Sequence, residues 1–393
     1  MQLTLKPRKA RPFYARHPWV LDSALEPSGN FPADGEVVDL LSDKGKFVAR
    51  GIFNSRSRIR VRLYTWDPSE ELDDAFWRRR LEAAVQFRAQ LGFADSQGAT
   101  RLIFSEGDGL SGLIVDRYAD YLAVQVTAQA MAVRLPQIAA MLVELFTPRG
   151  IMLRTERGVS RAEGLDLRDG PYWGHMPEGP LLIAEQGLQY AVDLAEGQKT
   201  GFYLDQRENR LAAARYLRDR RVLDMFCYSG GFSLSASAHG GAREVLGIDT
   251  SQRAVDLATA NAARNGLANV RFQCGDGFQT MQQLSDAGQR FGGVILDPPK
   301  FARSRRAVDE ALRAYHWLNR SAVGLLEPGG ILVTCSCSGH VTREDFLSML
   351  VGVAQHTGRQ IQVLEQRGAS PDHPISAACL ETEYLKCFIC RVV

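Results

Sequence analysis

The sequence predicts an α/β protein in which a doubly wound, mostly parallel sheet is preceded by a small β-rich domain and a small α+β domain. Three observations carry that prediction. From about Gln206, short apolar runs alternate with helical patterns. Before about Arg80, short alternating strands are broken by Gly, Asp and Asn. Between these regions, strand patterns surround one amphipathic helix. At 393 residues the chain is long enough for two or three domains, and we set them at 1–80, 81–195 and 196–393.

In the first segment the strands are Gly35 to Leu41 and Lys46 to Phe53. An acidic stretch, Asp67 to Asp74, leads into a helix over Ala75 to about Leu91, as suits a helix N-terminus. The middle segment has strands at Leu102–Phe104, Gly112–Asp116 and Tyr121–Val126, and a helix over Arg134–Phe146. Asp166 to Pro180, rich in Gly, Pro and charge, reads as a loop, and a hairpin of Leu181–Ala184 with Leu188–Asp193 closes this segment. Further on, strands at Val222–Phe226, Glu244–Asp249, Val270–Phe272, Gly293–Asp297 and Gly330–Thr334 alternate with helices. Such a sheet places its ligand at the carboxyl ends of the strands.

Composition excludes several classes. Hydrophobic residues are 45% and charged residues 23%, the balance of a folded globular protein. The apolar stretches are too short to span a bilayer, and the basic N-terminus lacks a signal-peptide core, so a cytoplasmic location is expected. Seven cysteines without a spaced framework are expected to be reduced thiols. Net charge is +2, yet Met1 to Thr65 holds twelve Lys or Arg against six Asp or Glu. Arg56, Arg58, Arg60 and Arg62, at alternate positions, are expected on one strand face, either as phosphate contacts or as a charged edge that resists aggregation.

The strand Val222–Phe226 runs into Cys227-Tyr228-Ser229-Gly230-Gly231 and then a helix from Phe232 to Ala238. Adjacent glycines at such a turn let a ligand approach the backbone. The next strand ends in Asp249, placed for ribose hydroxyls, and the third ends near Asp276 and Gly277, placed for an adenine amino group. A GxGxxG pyrophosphate fingerprint is absent and Asp224 ends the first strand, which disfavours a nicotinamide dinucleotide. A ligand with an amine and a sulfonium, S-adenosylmethionine, fits better.

Two further strand ends carry chemistry. Asp297-Pro298-Pro299-Lys300 places a carboxylate on a loop stiffened by two prolines, and Cys335-Ser336-Cys337-Ser338 offers a thiol. Cytosine C5 is a poor nucleophile until a thiolate adds at C6. Cys337 suits that addition and Asp297 an interaction with N3. Cys335 is expected to point away from Cys337. Cys387 and Cys390 read as core of a terminal strand, His316 and His340 lack ligand spacing, and no metal is expected. The basic residues Lys300, Arg303, Arg305 and Arg306 either grip phosphates or form a solvated loop.

Taken together, Gly197-Gln198-Lys199-Thr200-Gly201-Phe202-Tyr203-Leu204-Asp205-Gln206-Arg207, Tyr228-Ser229-Gly230-Gly231-Phe232, Asp297-Pro298-Pro299-Lys300-Phe301 and Ser336-Cys337-Ser338-Gly339 resemble the ribosomal large-subunit methyltransferase I family. The resemblance spans essentially the whole chain. It implies an N-terminal PUA domain for RNA, a central α+β domain and a Rossmann-like class I methyltransferase domain that forms 5-methylcytosine in 23S rRNA. By position it makes Gln206, Asp224, Asp249, Asp276 and Asp297 cofactor contacts, with Phe226, Tyr228, Gly230, Gly231, Gly277 and Pro298 beside them, and Cys337 the nucleophile. Expected partners are 23S rRNA or its assembly intermediates and a second copy of the chain, with no membrane. The doubled Cys-Ser-Cys departs from the phenylalanine often found where Cys335 stands. Three other readings stay open: methylation of an exocyclic base nitrogen, C5 methylation in another RNA, and a non-catalytic RNA-binding assembly factor.

Overall fold

The computed structural model describes residues 1–27, 30–194, 200–302 and 304–393, and of Arg157 only the backbone. Gly197, Gln198 and Lys199 of the sequence motif, and Arg303 of the basic loop, lie outside the described residues. The chain divides into two compact units: Met1–Ile183 with Val192–Leu204 and Pro371–Thr382, and Ala184–Ala191 with Asp205–Ser370 and Glu383–Val393. The hairpin Leu181–Glu185/Leu188–Val192, expected to close the middle segment, is therefore split, with residues 184–191 in the second unit.

The first unit holds two five-stranded sheets. One runs in the order Gln2–Thr4, Val37–Leu41, Phe47–Phe53, Ile59–Thr65, Trp19–Leu21 and encloses Leu5, Val38, Leu40, Phe53 and Val61. The other runs Gly170–Gly174, Gly150–Arg154, Tyr121–Val126, Leu113–Tyr118, Ala99–Phe104. Its first strand lies inside the stretch read from sequence as a loop. Nearly every residue of that edge strand is exposed, so it carries no apolar alternation to betray it. The helix over Asp74–Gln90 starts where Asp73 accepts the Phe76 amide at 2.8 Å, and it buries Phe76, Trp77, Leu81 and Ala84 along one stripe.

A buried ion pair crosses the second sheet. Asp116, with no exposed surface, accepts Arg101 Nε at 2.6 Å and Nη2 at 2.8 Å, and Thr200 Oγ1 also donates to it. Replacing Asp116 with alanine removes a fully buried carboxylate from its ion pair and is expected to cost about 3–5 kcal/mol, read as a lowered urea midpoint. A midpoint within error of the parent contradicts this.

In the second unit we label strands β1 (Arg221–Met225), β2 (Glu244–Asp249), β3 (Val270–Cys274), β4 (Phe291–Leu296), β5 (Leu326–Ser336), β6 (Ile361–Arg367) and β7 (Lys386–Val392). Helices are α1 (Arg207–Ala214), α2 (Gly231–Ala238), α3 (Gln252–Arg264), α4 (Gly277–Asp286), α5 (Val308–Leu325) and α6 (Arg343–Thr357). The sheet order is β3-β2-β1-β4-β5-β7-β6, with β7 antiparallel to both neighbours and the other pairs parallel. Central parallel strands are covered on both faces and so read as continuous apolar runs, as Val294-Ile295-Leu296 does. The strand order reverses at β1, between β2 and β4, where a doubly wound sheet opens a crevice. There Met225 lies beside both Ile248 and Leu296, so Phe226, Asp249 and Asp297 leave the sheet together.

Candidate active site

The crevice at this reversal is lined with carboxylates. Asp224, near the end of β1, is 1% exposed, and its Oδ2 accepts the Ser233 hydroxyl at 2.6 Å. Its Oδ1 is buried and has no hydrogen-bond partner among the described residues. Burial, opposed by the Ser233 bond and reinforced by the negative charge of Asp297 and Asp249, pushes this carboxyl up to about 7. An orphaned buried carboxyl oxygen beside two more carboxylates is a poor neighbour for phosphate. It suits a ligand carrying an ammonium and a further positive charge.

The turn after β1 is strained. Phe226 and Tyr228 have φ of 65° and 47°, and Gly230, which precedes α2, has φ of 88°. The conformation serves Asp249, whose Oδ2 accepts the Tyr228 amide at 2.9 Å while Oδ1 accepts the Ser251 amide at 2.9 Å. Both oxygens are thereby oriented, each with a lone pair left to accept a hydroxyl.

The glycines of this turn also answer to the packing around them. A Cβ at Gly230 would stand 2.8 Å from Leu234 Cδ1 and 2.9 Å from Phe272 Cζ, and one at Gly231 would stand 2.6 Å from Arg210 Nε. Protein packing requires glycine at both, and the positive φ of Gly230 adds to the requirement there. Arg210 cannot give way easily, because buried Glu185 accepts its Nη1 at 2.6 Å. Gly277 likewise makes room for the Phe226 ring, 2.8 Å from a would-be Cβ.

Asp276 is exposed and caps α4, its Oδ1 accepting the Gln279 amide at 2.9 Å. Gln206 is 2% exposed and donates Nε2 to Asp297 Oδ1 at 3.0 Å, while its Oε1 accepts Asn209 Nδ2 at 2.6 Å. Asn209 fixes which way the amide faces, so Gln206 orients the Asp297 carboxyl. Asn209, Ser233 and Ser338 went unread in the sequence because each acts through a neighbour.

β4 and β5 bring the carboxylate and the thiol together. Leu296 pairs with Thr334, so the residues after both strands emerge side by side. Cys337 is half-buried, with Sγ 4.0 Å from the Pro298 carbonyl oxygen. Ser338, fully buried, ties the two loops: its Oγ accepts the Ala302 amide at 3.1 Å and lies 3.1 Å from the Tyr315 hydroxyl.

The two thiols of the Cys-Ser-Cys motif do part company, but not because the strand turns one away. Residues two apart on a strand share a face. β5 ends at Ser336, so Cys335 remains in the sheet, paired with Cys387 and without exposed surface, while Cys337 lies in the loop. Burial and then the Cys387 neighbour push the Cys335 thiol well up, leaving it inert.

The basic candidates separate. Lys300, Arg305 and Arg306 are exposed beyond Asp297. In the first unit the strand begins only at Ile59, so Arg56 and Arg58 sit in the preceding bend, exposed, and Arg60 alone shares a strand face with Arg62. Arg62 is no phosphate contact. It is 7% exposed and held by Glu106 at 3.1 Å and Glu163 at 3.0 Å.

Among the described residues one group of potential metal donors gathers, His17, Cys379 and Glu381. His17 Nδ1 accepts the Trp19 amide at 3.2 Å, so the neutral ring carries its proton on Nε2, which faces Glu381 at 3.5 Å. That tautomer leaves neither nitrogen free for an ion. No described helix is long and apolar enough to cross a membrane.

Comparison with known proteins agrees with this geometry. Residues 3–66 match the PUA-like domain family, and residues 170–382 match the S-adenosylmethionine-dependent methyltransferase family. The chain is 38% identical to the ribosomal RNA large subunit methyltransferase I of Cronobacter sakazakii over 395 residues, and equally to that of Escherichia coli K12, each match covering all of both chains. In fold it resembles a proposed S-adenosylmethionine-dependent methyltransferase from Streptococcus mutans, with a TM-score of 0.85, 20% identity and full coverage of both chains. Another solved structure, of a proposed methyltransferase complexed with SAH, gives a TM-score of 0.86 at 21% identity, again over both chains. The chain therefore belongs to the S-adenosylmethionine-dependent methyltransferases, in the ribosomal RNA large subunit methyltransferase I family.

Proposed function

We propose that this enzyme methylates C5 of a cytosine in 23S rRNA, with Cys337 adding covalently to C6. One observation carries the reading: the half-buried Cys337 thiol lies 4.0 Å from the Pro298 carbonyl, immediately after Asp297, at the carboxyl edge of the sheet. The name of the curated relatives supplies the RNA. In the division of labour we propose, residues 1–80 hold RNA, 81–195 form the central domain and 196–393 hold the reaction.

Bound S-adenosylmethionine supplies an electrophilic methyl group. Asp224 and Asp297 would face its positive charges, Asp249 its ribose hydroxyls and Asp276 its adenine edge, with Phe226, Tyr228, Gly230, Gly231, Gly277 and Pro298 shaping the walls. Cys337 as thiolate adds to C6, and the electron pair displaced from the C5–C6 double bond makes C5 nucleophilic. The Asp297 carboxyl, held by Gln206 at 3.0 Å, acts as the acid, sharing its proton with N3 as charge builds there and taking it back when the S–C6 bond breaks. After C5 has taken the methyl group, a base removes the C5 proton, the S–C6 bond breaks and the thiolate returns. The target cytosine must leave its stack to reach the thiol, which favours naked or partly unfolded RNA. Lys300, Arg305 and Arg306 beside the site, Arg303 of the same sequence stretch, and Arg56, Arg58 and Arg60 would hold phosphates.

Asp224 makes cofactor affinity depend on pH. Its folded pKa of about 7 exceeds the ordinary 3.8, so its contribution to stability is fully present below 3.8 and is lost as pH rises through 7. A cationic ligand prefers the carboxylate and draws the proton off. S-adenosylmethionine affinity, measured calorimetrically, is expected to rise about tenfold between about pH 5.5 and about pH 7.5. Asp224→Asn is expected to bind more weakly and to lose the rise. A rise that persists in the variant places the titrating group elsewhere.

The reading is tested by methylating naked 23S rRNA and assembled subunits with the full chain and identifying the modified nucleoside by mass spectrometry. 5-Methylcytidine is expected. A base methylated on an exocyclic nitrogen overturns the proposal.

A further inference from the structure

Lys386 opens β7, opposite Ser336 of β5, and is 2% exposed. Its Nζ donates to the Ser338 carbonyl at 2.7 Å and to the Tyr384 carbonyl at 2.9 Å. Ser338 directly follows Cys337, so the ammonium is fastened to the turn that carries the thiol. Two neutral carbonyls orient a buried ammonium but do not cancel its charge, and a buried charge calls for an opposite one.

The surrounding groups narrow the choice of counter-charge. Burial is the largest influence and lowers Lys386 to about 8, while Cys337 and Glu383 favour its charged form and Arg343 of α6 and Lys300 of the loop after β4 oppose it. Glu383 already meets Arg343 at 2.8 Å. A thiolate at Cys337 is the anion that suits the site.

We propose that Lys386 is the positioning residue of the nucleophile: its ammonium, fixed by the Ser338 and Tyr384 carbonyls, holds the strand-end turn and stabilises Cys337 as thiolate. This inference rests on the reading of Cys337 as the nucleophile. The proton leaves Sγ for solvent and the electron pair stays on sulfur, within the field of the Lys386 ammonium. Lys386 itself keeps its proton through the reaction.

The test is the pH dependence of Cys337 alkylation by iodoacetamide in the full chain, resolved from the other cysteines by peptide mass spectrometry, in wild type, Lys386→Met and Lys386→Arg. Wild type is expected to react with a midpoint below the ~8.5 of a free thiol. Lys386→Met is expected to raise the midpoint by about one unit or more and slow alkylation about tenfold near pH 7, and Lys386→Arg to restore most of the difference. An unchanged midpoint in Lys386→Met overturns the proposal, whatever happens to methyl transfer. So does accumulation of a covalent adduct with ordinary cytosine in that variant, which would make Lys386 the base for the C5 proton. If the methionine variant fails to fold, wild type decides: a midpoint at or above that of a free thiol overturns the pairing. Failure of the nucleophile reading looks different. Cys337→Ala would then retain methyl transfer, while the alkylation midpoint in wild type still depended on Lys386.

Discussion

Replacing Cys337 with alanine is expected to reduce methyl transfer by about 10³-fold or more while leaving cofactor binding in place. The size follows from the chemistry. Without addition at C6 the C5 carbon keeps its place in the conjugated ring, and no other group described at the site replaces the sulfur. Cys335 is no substitute, because it is fully buried within the sheet opposite Cys387. The check is a single-turnover rate alongside a calorimetric measure of S-adenosylmethionine affinity. A rate within tenfold of wild type would show that the chemistry needs no thiol.

Asp297→Asn is expected to lower the rate about 10²-fold. Asparagine has the same shape and keeps an oxygen that can accept Gln206 Nε2, now at 3.0 Å, so the loop that begins at Pro298 should hold its course. The ionisable carboxyl is lost, with the charge proposed to face the cofactor, so S-adenosylmethionine affinity is measured beside the rate. Parallel measurement of melting temperature separates this from a folding defect. A variant with the wild-type rate would reduce Asp297 to a strand terminator.

The sequence is most informative where a residue answers to its own strand. Val294-Ile295-Leu296-Asp297 is an apolar run ended by an acid, and Val222-Leu223-Asp224-Met225 carries one just before its strand ends, patterns that arise when a strand is buried on both faces and its carboxyl end meets a ligand crevice. Alternation with helices makes the first five strands parallel, but it gives neither their order nor the antiparallel β7 between β5 and β6. Residues that answer to distant partners are hidden. Arg62 sits in an alternating row of arginines, yet Glu106 and Glu163, far along the chain, claim it. Lys386 stands before apolar Cys387 and Phe388 in what reads as a core strand, and antiparallel pairing with β5 alone brings it to Ser338. The glycine pair was legible as a turn, but the packing around it was not, since Phe272 and Arg210 reach it from two other elements and Leu234 from the next turn of its own helix. The exposed edge strand Gly170–Gly174 left no pattern at all, because nothing in it is fully buried.

The most direct test of the account is to mix the full chain with S-adenosylmethionine and 23S rRNA carrying 5-fluorocytosine. Fluorine at C5 blocks the proton loss that normally frees the enzyme, so an enzyme that adds through sulfur is trapped on its substrate. The account predicts a protein–RNA adduct that survives denaturation, maps by mass spectrometry to Cys337 and is absent from Cys337→Ala. Methyl transfer to ordinary rRNA by Cys337→Ala, with no adduct in wild type, would contradict it.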